Sequence, residues 1–239
     1  PLVDGVAGTC PTLLIETQTT NLVAYSESLV NWSNSGGNTL TSGLTSPNGD
    51  TSAYSILSGT GTSSRMLYTT PLSAVSTQHV LSMFVKQVDS FNTTYLRWSS
   101  SELSDNIATF AFDTEVLTNV SGNSTDLFVE KYPNGWYKVG FTFTTGATIT
   151  SQQIQINRGA NVTAAYWGVQ IEQKAIVSSY VPTSGAIATR LADVSTVDLT
   201  PFTLTSITET IEGVEQTPIT VIPSTYTMPN GAINKIIMV

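Results

Sequence analysis

Residues 167–185 read WGVQIEQKAIVSSYVPTSG, and the first half of that run decides the fold. Trp167, Val169 and Ile171 alternate with smaller or polar residues, the two-residue period of a strand that buries one face. The period recurs upstream, in Leu81, Met83 and Val85 of HVLSMFVKQ, in Val139, Phe141 and Phe143 of KVGFTFT, and in Ile154 and Ile156 of QQIQINR. Turn-forming clusters at 35–38 (SGGN), 46–50 (SPNGD), 58–64 (SGTGTSS) and 122–124 separate these runs. The spacing is that of a β-sandwich with about eight to ten strands. Asn134-Gly135 lies between LFVEKY and WYKVGFTF, and because both residue types tolerate positive φ it predicts a hairpin with Tyr132 and Trp136 as cross-strand neighbours. Helical periodicity is absent. The run SSSELSDNIATF reads as a loop entering a strand at Thr109 to Phe112.

Composition agrees with an all-β reading. Of 239 residues 40% are hydrophobic and only 11% charged, and the balance is Ser, Thr, Asn and Gly, which suit outward strand faces and turns. That length holds one large β domain, or a medium domain with an appendage; two blocks are expected. With 17 acidic against 9 basic residues the net charge is -8, so the chain has no footprint for a phosphate backbone and nucleic-acid binding is not expected. No apolar stretch is long enough to span a bilayer, and no membrane insertion is expected. The lone Cys10, in GTCP, rules out an internal disulfide framework and reads as a turn residue.

After Val194 the texture changes to Thr, Ile, Val and Pro with few large aromatics. Residues 195–239 read as a small separate β unit. ITETI and VEQTPITVI flank Glu212-Gly213, and STYTM and INKIIMV flank Pro229-Asn230-Gly231, so two hairpins are expected. The final IIMV is an apolar edge unless something covers it, which predicts packing on a neighbouring copy or on the main domain, and hence a homo-oligomer.

A search for chemistry narrows the field. His79 stands alone and, without a second His or a Cys cluster, makes no ordinary zinc site; it reads as a satisfied histidine at a strand edge. Nucleophile-elbow, Walker, zinc-helix and EF-hand patterns are absent. Glycoside hydrolysis needs only two placed carboxylates, yet Glu102, Asp105, Asp113, Glu115 and Glu130 do not fall as a pair on one inward face. Trp32, Trp136 and Trp167 read as core. In NTTYLRWSSS, Leu96 and Trp98 share one face and Tyr95 and Arg97 the other. With the first pair inward, Tyr95 and Arg97 become an outward ring with a hydrogen-bond donor beside it, the combination that stacks on and bonds to a sugar.

Three blocks carry a family resemblance: NLVAYSESLVNW at Asn21 to Trp32, NGWYKVGFTFT at Asn134 to Thr144, and the run from Trp167 through AIATRLADV to Val194. Together they resemble a carbohydrate-binding-module-like jelly-roll domain of tailed-bacteriophage tail and fibre proteins. The likeness spans roughly residues 8 to 194, including a Pro-Thr-Leu-Leu strand and a Thr-Asn-Leu turn at its start; Thr17 and Thr19 depart from the Pro and Arg usual there. The fold expected is therefore an all-β jelly-roll β-sandwich over 1–194, followed by the small β-hairpin unit. The resemblance implies a non-enzymatic virion protein, assembled in the host cytoplasm: a tail or head fibre adhesin contacting host-surface glycan and other virion proteins. The alternatives are a capsid or tail decoration protein binding virion subunits only, and a glycan-degrading module. The family's structural calcium, between first and last strands, has Glu27 and Asp193 as oxygen donors in comparable places, against a competing role for Asp193 as ion-pair partner of Arg190. No other cofactor is implied.

Overall fold

The computed structural model describes residues 13–61, 64–70, 72–100, 105–148, 152–157, 162–211, 214–229 and 231–239. Cys10, Glu102 and the Glu212-Gly213 turn lie outside them. The chain opens with β1 (Leu13–Ile15) and β2 (Thr19–Asn21). The strands that follow are β3 (Ser33–Ser35), β4 (Thr39–Leu44), β5 (Ala53–Leu57), β6 (Arg65–Thr69), β7 (Gln78–Gln87) and β8 (Thr93–Ser99). Then come β9 (Asn106–Ala111), β10 (Val116–Ser121), β11 (Thr125–Tyr132), β12 (Trp136–Thr144), β13 (Gln153–Ile156) and β14 (Thr163–Glu172). Two six-stranded antiparallel sheets result, in the orders β10-β9-β8-β13-β6-β3 and β11-β12-β7-β14-β5-β4. This is the β-sandwich that the alternation predicts.

Between the sheets lies one apolar core. Leu96, Trp98, Phe110, Ile154 and Ile156 fill it from the first sheet, and Leu81, Met83, Val85, Phe141, Phe143, Tyr166 and Ile171 from the second. Trp98 stacks on Phe143 with ring centroids 4.3 Å apart. The Asn134 hairpin forms with Tyr132 opposite Trp136, closed by a three-residue turn in which Asn134 and Gly135 have φ of 62° and 77°. β9 begins at Asn106, three residues before the strand start expected from the loop-like run.

The simple alternation fails at the decisive stretch. Val169 and Ile171 face the main core, but Trp167 faces the opposite side of its sheet, with Phe84, Trp136, Ala53 and Ala165. A bulge is the cause: Trp167 pairs with Phe84 and Gln170 with Ser82, so β14 carries one residue more than β7 across that gap. Gly168, at φ +60°, supplies the left-handed conformation the bulge needs.

The second sheet is consequently buried on both faces along its two central strands, from His79 to Val85 in β7 and from Ala164 to Glu172 in β14. Residues 173–185 cross its outer face as a strap. Lys138 Nζ donates to the Ser178 carbonyl at 2.7 Å, and Val181 N donates to Gln170 Oε1 at 2.7 Å. Tyr180 packs its ring 4.5 Å from that of Trp167. Asn21, fully buried, joins strap, opening segment and β14: its Nδ2 donates to Val181 O at 2.9 Å and Val169 O at 3.3 Å, while its Oδ1 accepts from Val23 N at 3.0 Å and Ile171 N at 3.3 Å.

The chain divides into two compact units, Thr20–Thr189 and Pro1–Thr19 with Arg190–Val239. The sequence draws this boundary instead at 194/195 and keeps the opening segment with the sandwich. The difference arises because β1 pairs with β20 (Gly231–Met238), Leu13 opposite Ile233. The smaller unit also holds β16 (Thr196–Asp198), β17 (Ile207–Ile211), β18 (Val214–Glu215) and β19 (Thr225–Thr227), while β15 (Ala188–Arg190) pairs with β2. β17 and β18 form the first expected hairpin. The second does not form: β19 pairs with β16, and β20 lies between β1 and β17. β1 pairs only with Gly231–Ile233 of the last strand, so Ile236–Met238 are paired with β17 alone and the apolar edge on which self-association was argued is covered on that side only. A small core of Leu199, Ile207 and Tyr226 supports the unit.

Two substitutions test this frame. Gly168→Ala forces a side chain into the left-handed region and is expected to lower stability by about 1–2 kcal/mol, read as a shifted urea midpoint. Asn21→Ala strands several buried backbone groups and is expected to cost on the order of 3 kcal/mol; an unchanged midpoint in either variant contradicts the role given to that residue.

Candidate functional site

The outward face of the first sheet carries the polar side chains worth examining. β8 alternates cleanly, with Thr94, Leu96 and Trp98 buried and Tyr95 and Arg97 half-buried on the other side. The register sets Arg97 opposite Gln155 on one flank and Ile107 on the other, with Tyr95 opposite Thr109. Tyr95 and Arg97 therefore share the outward face, as their spacing predicts.

Arg97 is already engaged. Its Nη1 donates to Gln155 Oε1 at 2.9 Å, its Nη2 donates to Ser99 Oγ at 3.3 Å, and the guanidinium forms an ion pair with Asp105. Burial opposes the charge on Arg97, but the Asp105 carboxylate and the Tyr95 phenol outweigh it and raise its pKa. Gln155 Nε2 donates in turn to Gln153 Oε1 at 3.4 Å. The result is a preorganised patch of one ring, one neutralised cation and the Gln153 amide on a rigid sheet, with Gln155 buried beneath as the support of Arg97.

Gln153, Gln155 and Asp105 are additions to the pair singled out from sequence. The two glutamines had a signal: in QQIQINR they alternate with the core residues Ile154 and Ile156 and must face outward. Asp105 had none, since it precedes β9 in a connection whose path no spacing rule fixes.

The calcium candidates are each held locally. Glu27, in the larger unit, accepts from Tyr180 Oη at 3.1 Å, and that phenol also bonds Ser26 Oγ at 2.6 Å. Burial raises the Glu27 pKa, with the nearby Asp50 charge adding to it and the Tyr180 bond opposing it. Asp193, in the smaller unit, accepts from Arg190 Nη1 at 3.1 Å and from Glu16 N at 3.0 Å, while Arg190 Nη2 lies 3.1 Å from Glu16 Oε2. Glu27 and Asp193 thus belong to different units. Among the described residues no three His, Cys, Asp or Glu side chains form a ligand group. Of the carboxylates considered for hydrolysis, Asp105 is bound to Arg97, and Glu115 contacts Lys131 at 2.6 Å and Tyr137 Oη at 2.9 Å.

His79 is buried rather than at an open edge. Its Nδ1 lies 3.1 Å from the Thr77 carbonyl and its ring 5.7 Å from that of Phe143.

No protein-family model matches this chain, and no curated protein does. Among solved structures it is similar to an endo-1,4-β-D-xylanase of Clostridium thermocellum, its CBM22-1 and GH10 modules complexed with xylohexaose, at 15% identity and TM-score 0.44 over 71% of this chain and 30% of that one. It is also similar to the CBM22-2 xylan-binding domain of a Paenibacillus barcinonensis protein, at 14% identity and TM-score 0.42 over 65% of this chain and 98% of that one. A third likeness is to the enzymatically active domain of tailspike protein 4 of bacteriophage CBA120, at 12% identity and TM-score 0.40, over 63% of this chain and 21% of that one. The chain therefore spans less than a third of the xylanase and of the tailspike domain.

Burial lowers the His79 pKa, with the Thr77 carbonyl opposing, so the folded chain binds a proton there less readily than the unfolded one. Stability from neutral His79 is complete above the ordinary value near about 6.5 and falls as pH drops through it. Melting profiles from about pH 7.5 to about pH 5, taken for the wild type and His79→Gln, should differ by that slope. Parallel profiles would refute it.

Proposed function

We propose that this chain is a non-enzymatic bacteriophage virion component, a tail or head fibre adhesin whose sandwich contacts host-surface glycan through the Tyr95 and Arg97 face. The observation that carries the reading is the set of polar groups there: the Tyr95 phenol, Arg97 and Gln153 on one sheet surface, with the buried Gln155 holding the guanidinium and the Gln153 amide in place. Rings stack on the C–H faces of sugars while amides and guanidinium bond the hydroxyls, and a rigid sheet limits the entropy lost on binding. Support for a virion setting comes from the sequence blocks that resemble phage tail and fibre domains. Weak single contacts suit a fibre, because several copies engaging one cell raise the effective concentration without new chemistry. A binding rather than hydrolytic role accords with Asp105 and Glu115 each being tied to a cation. No resident cofactor enters this reading.

A second reading, a capsid or tail decoration protein, draws on the smaller unit. Phe202, Val214 and Val221 are 60%, 62% and 87% exposed there, apolar surface available to neighbouring virion subunits.

A glycan array probed with the full chain tests the first reading. Binding should fall at least about tenfold in Tyr95→Ala and in Gln153→Ala, the loss expected from one ring or one amide contact. Binding unaffected by both would move the site elsewhere. Release of reducing ends from a bound polysaccharide would instead identify an enzyme.

A further inference from the structure

The ion pair at the centre of the proposed glycan face carries a statement about which sugars it accepts. Arg97 has its terminal nitrogens committed to Gln155, Ser99 and Asp105, and its side chain is only 16% exposed against 32% for that of Asp105. We infer that this face takes neutral, hydroxyl-rich sugar units and rejects uronate, sialate and sulfated ones, with the Arg97 and Asp105 pair as the selecting device. The inference rests on the glycan reading and narrows it.

Three physical points lead there. Fork-shaped recognition of a carboxylate or sulfate needs guanidinium nitrogens that are free to turn toward it. An incoming anion would have to displace Asp105, exchanging one carboxylate for another with no gain in attraction, and would pay its own dehydration besides. Should Asp105 stay, the anion would sit beside a fixed negative charge on a chain of net charge -8. Among the described residues the other cation on this face, Arg65 at the start of β6, is half-buried and has its own partner, so it offers no replacement. A neutral diol meets none of these costs. It finds lone pairs on Asp105, the amide of Gln153 and the phenol of Tyr95, a mixture of donors and acceptors that matches hydroxyls.

The test uses the full chain on matched neutral and anionic glycans, at about 50 mM and about 500 mM NaCl, conditions whose screening lengths differ several-fold. Neutral glycans should bind, with affinity changing less than about twofold between the two salts, because no net charge is neutralised on binding. Asp105→Asn keeps an acceptor beside Arg97 but removes the charge; anionic glycans should then gain about tenfold at low salt and lose that gain at high salt. Preference of the wild type for anionic glycans, with strong salt dependence, overturns the inference and leaves the glycan reading standing. Unaltered ranking in a folded Asp105→Asn protein does the same. Where that variant does not fold, the wild-type salt series decides by itself. Binding of no glycan of either class overturns the glycan reading and this inference together.

Discussion

The buried amide of Asn21 is the constraint on which the larger unit depends. Beyond the bulge at Gly168, β14 has parted from β5, whose pairing ends at Tyr166 opposite Tyr54. The backbone of Val169 and Ile171 would face a gap there. Asn21 closes it, serving both of those residues together with Val181 of the strap and Val23 of its own segment. A hydrophobic side chain of the same size could fill the volume but would leave those polar groups buried and unbonded. Ser26 and Thr183 repeat the device a few residues on: Ser26 N donates to Thr183 Oγ1 at 3.0 Å and Thr183 N to Ser26 Oγ at 2.9 Å. Opening and closing blocks are thus one interlocked element.

This explains what the family resemblance measures. Among the residues that carry it, Ser26 bonds Tyr180 and Thr183, while Asn21 and Gln170 both bond Val181 of the strap and Glu172 accepts from Ser178 N at 3.2 Å. They hold the scaffold. The polar face around Arg97 lies on the other sheet and is built from residues outside those blocks. A shared signature here therefore concerns architecture, while recognition is free to vary on the opposite surface.

Much of the architecture was legible because strands with one dry face advertise it. Leu96 with Trp98, Val139 with Phe141 and Ile154 with Ile156 all face inward as their period requires, and the Asn134 turn sets Tyr132 opposite Trp136. What escaped were places where an irregular feature resets the phase or a partner comes from far away. One inserted residue at Gly168 turns Trp167 to the opposite surface, and a two-residue period cannot register an insertion. The pairing of β20 with β1 and β17 escaped because adjacency in sequence favours β19, while nothing local in INKIIMV names a strand more than two hundred residues away. For the site the division is similar: Tyr95, Arg97 and both glutamines follow from alternation, whereas the carboxylate that neutralises Arg97 does not.

The pairing of β1 with β20 has a kinetic side. Joining Leu13 to Ile233 early would require closing a very long, floppy loop, and such non-local pairings are slow. Once the sandwich is folded the loop is already shut, since Thr20 and Thr189 then stand side by side with their hydroxyls 2.8 Å apart. Folding of the larger unit first would shorten the loop that this pairing has to close, an entropic reason for that order.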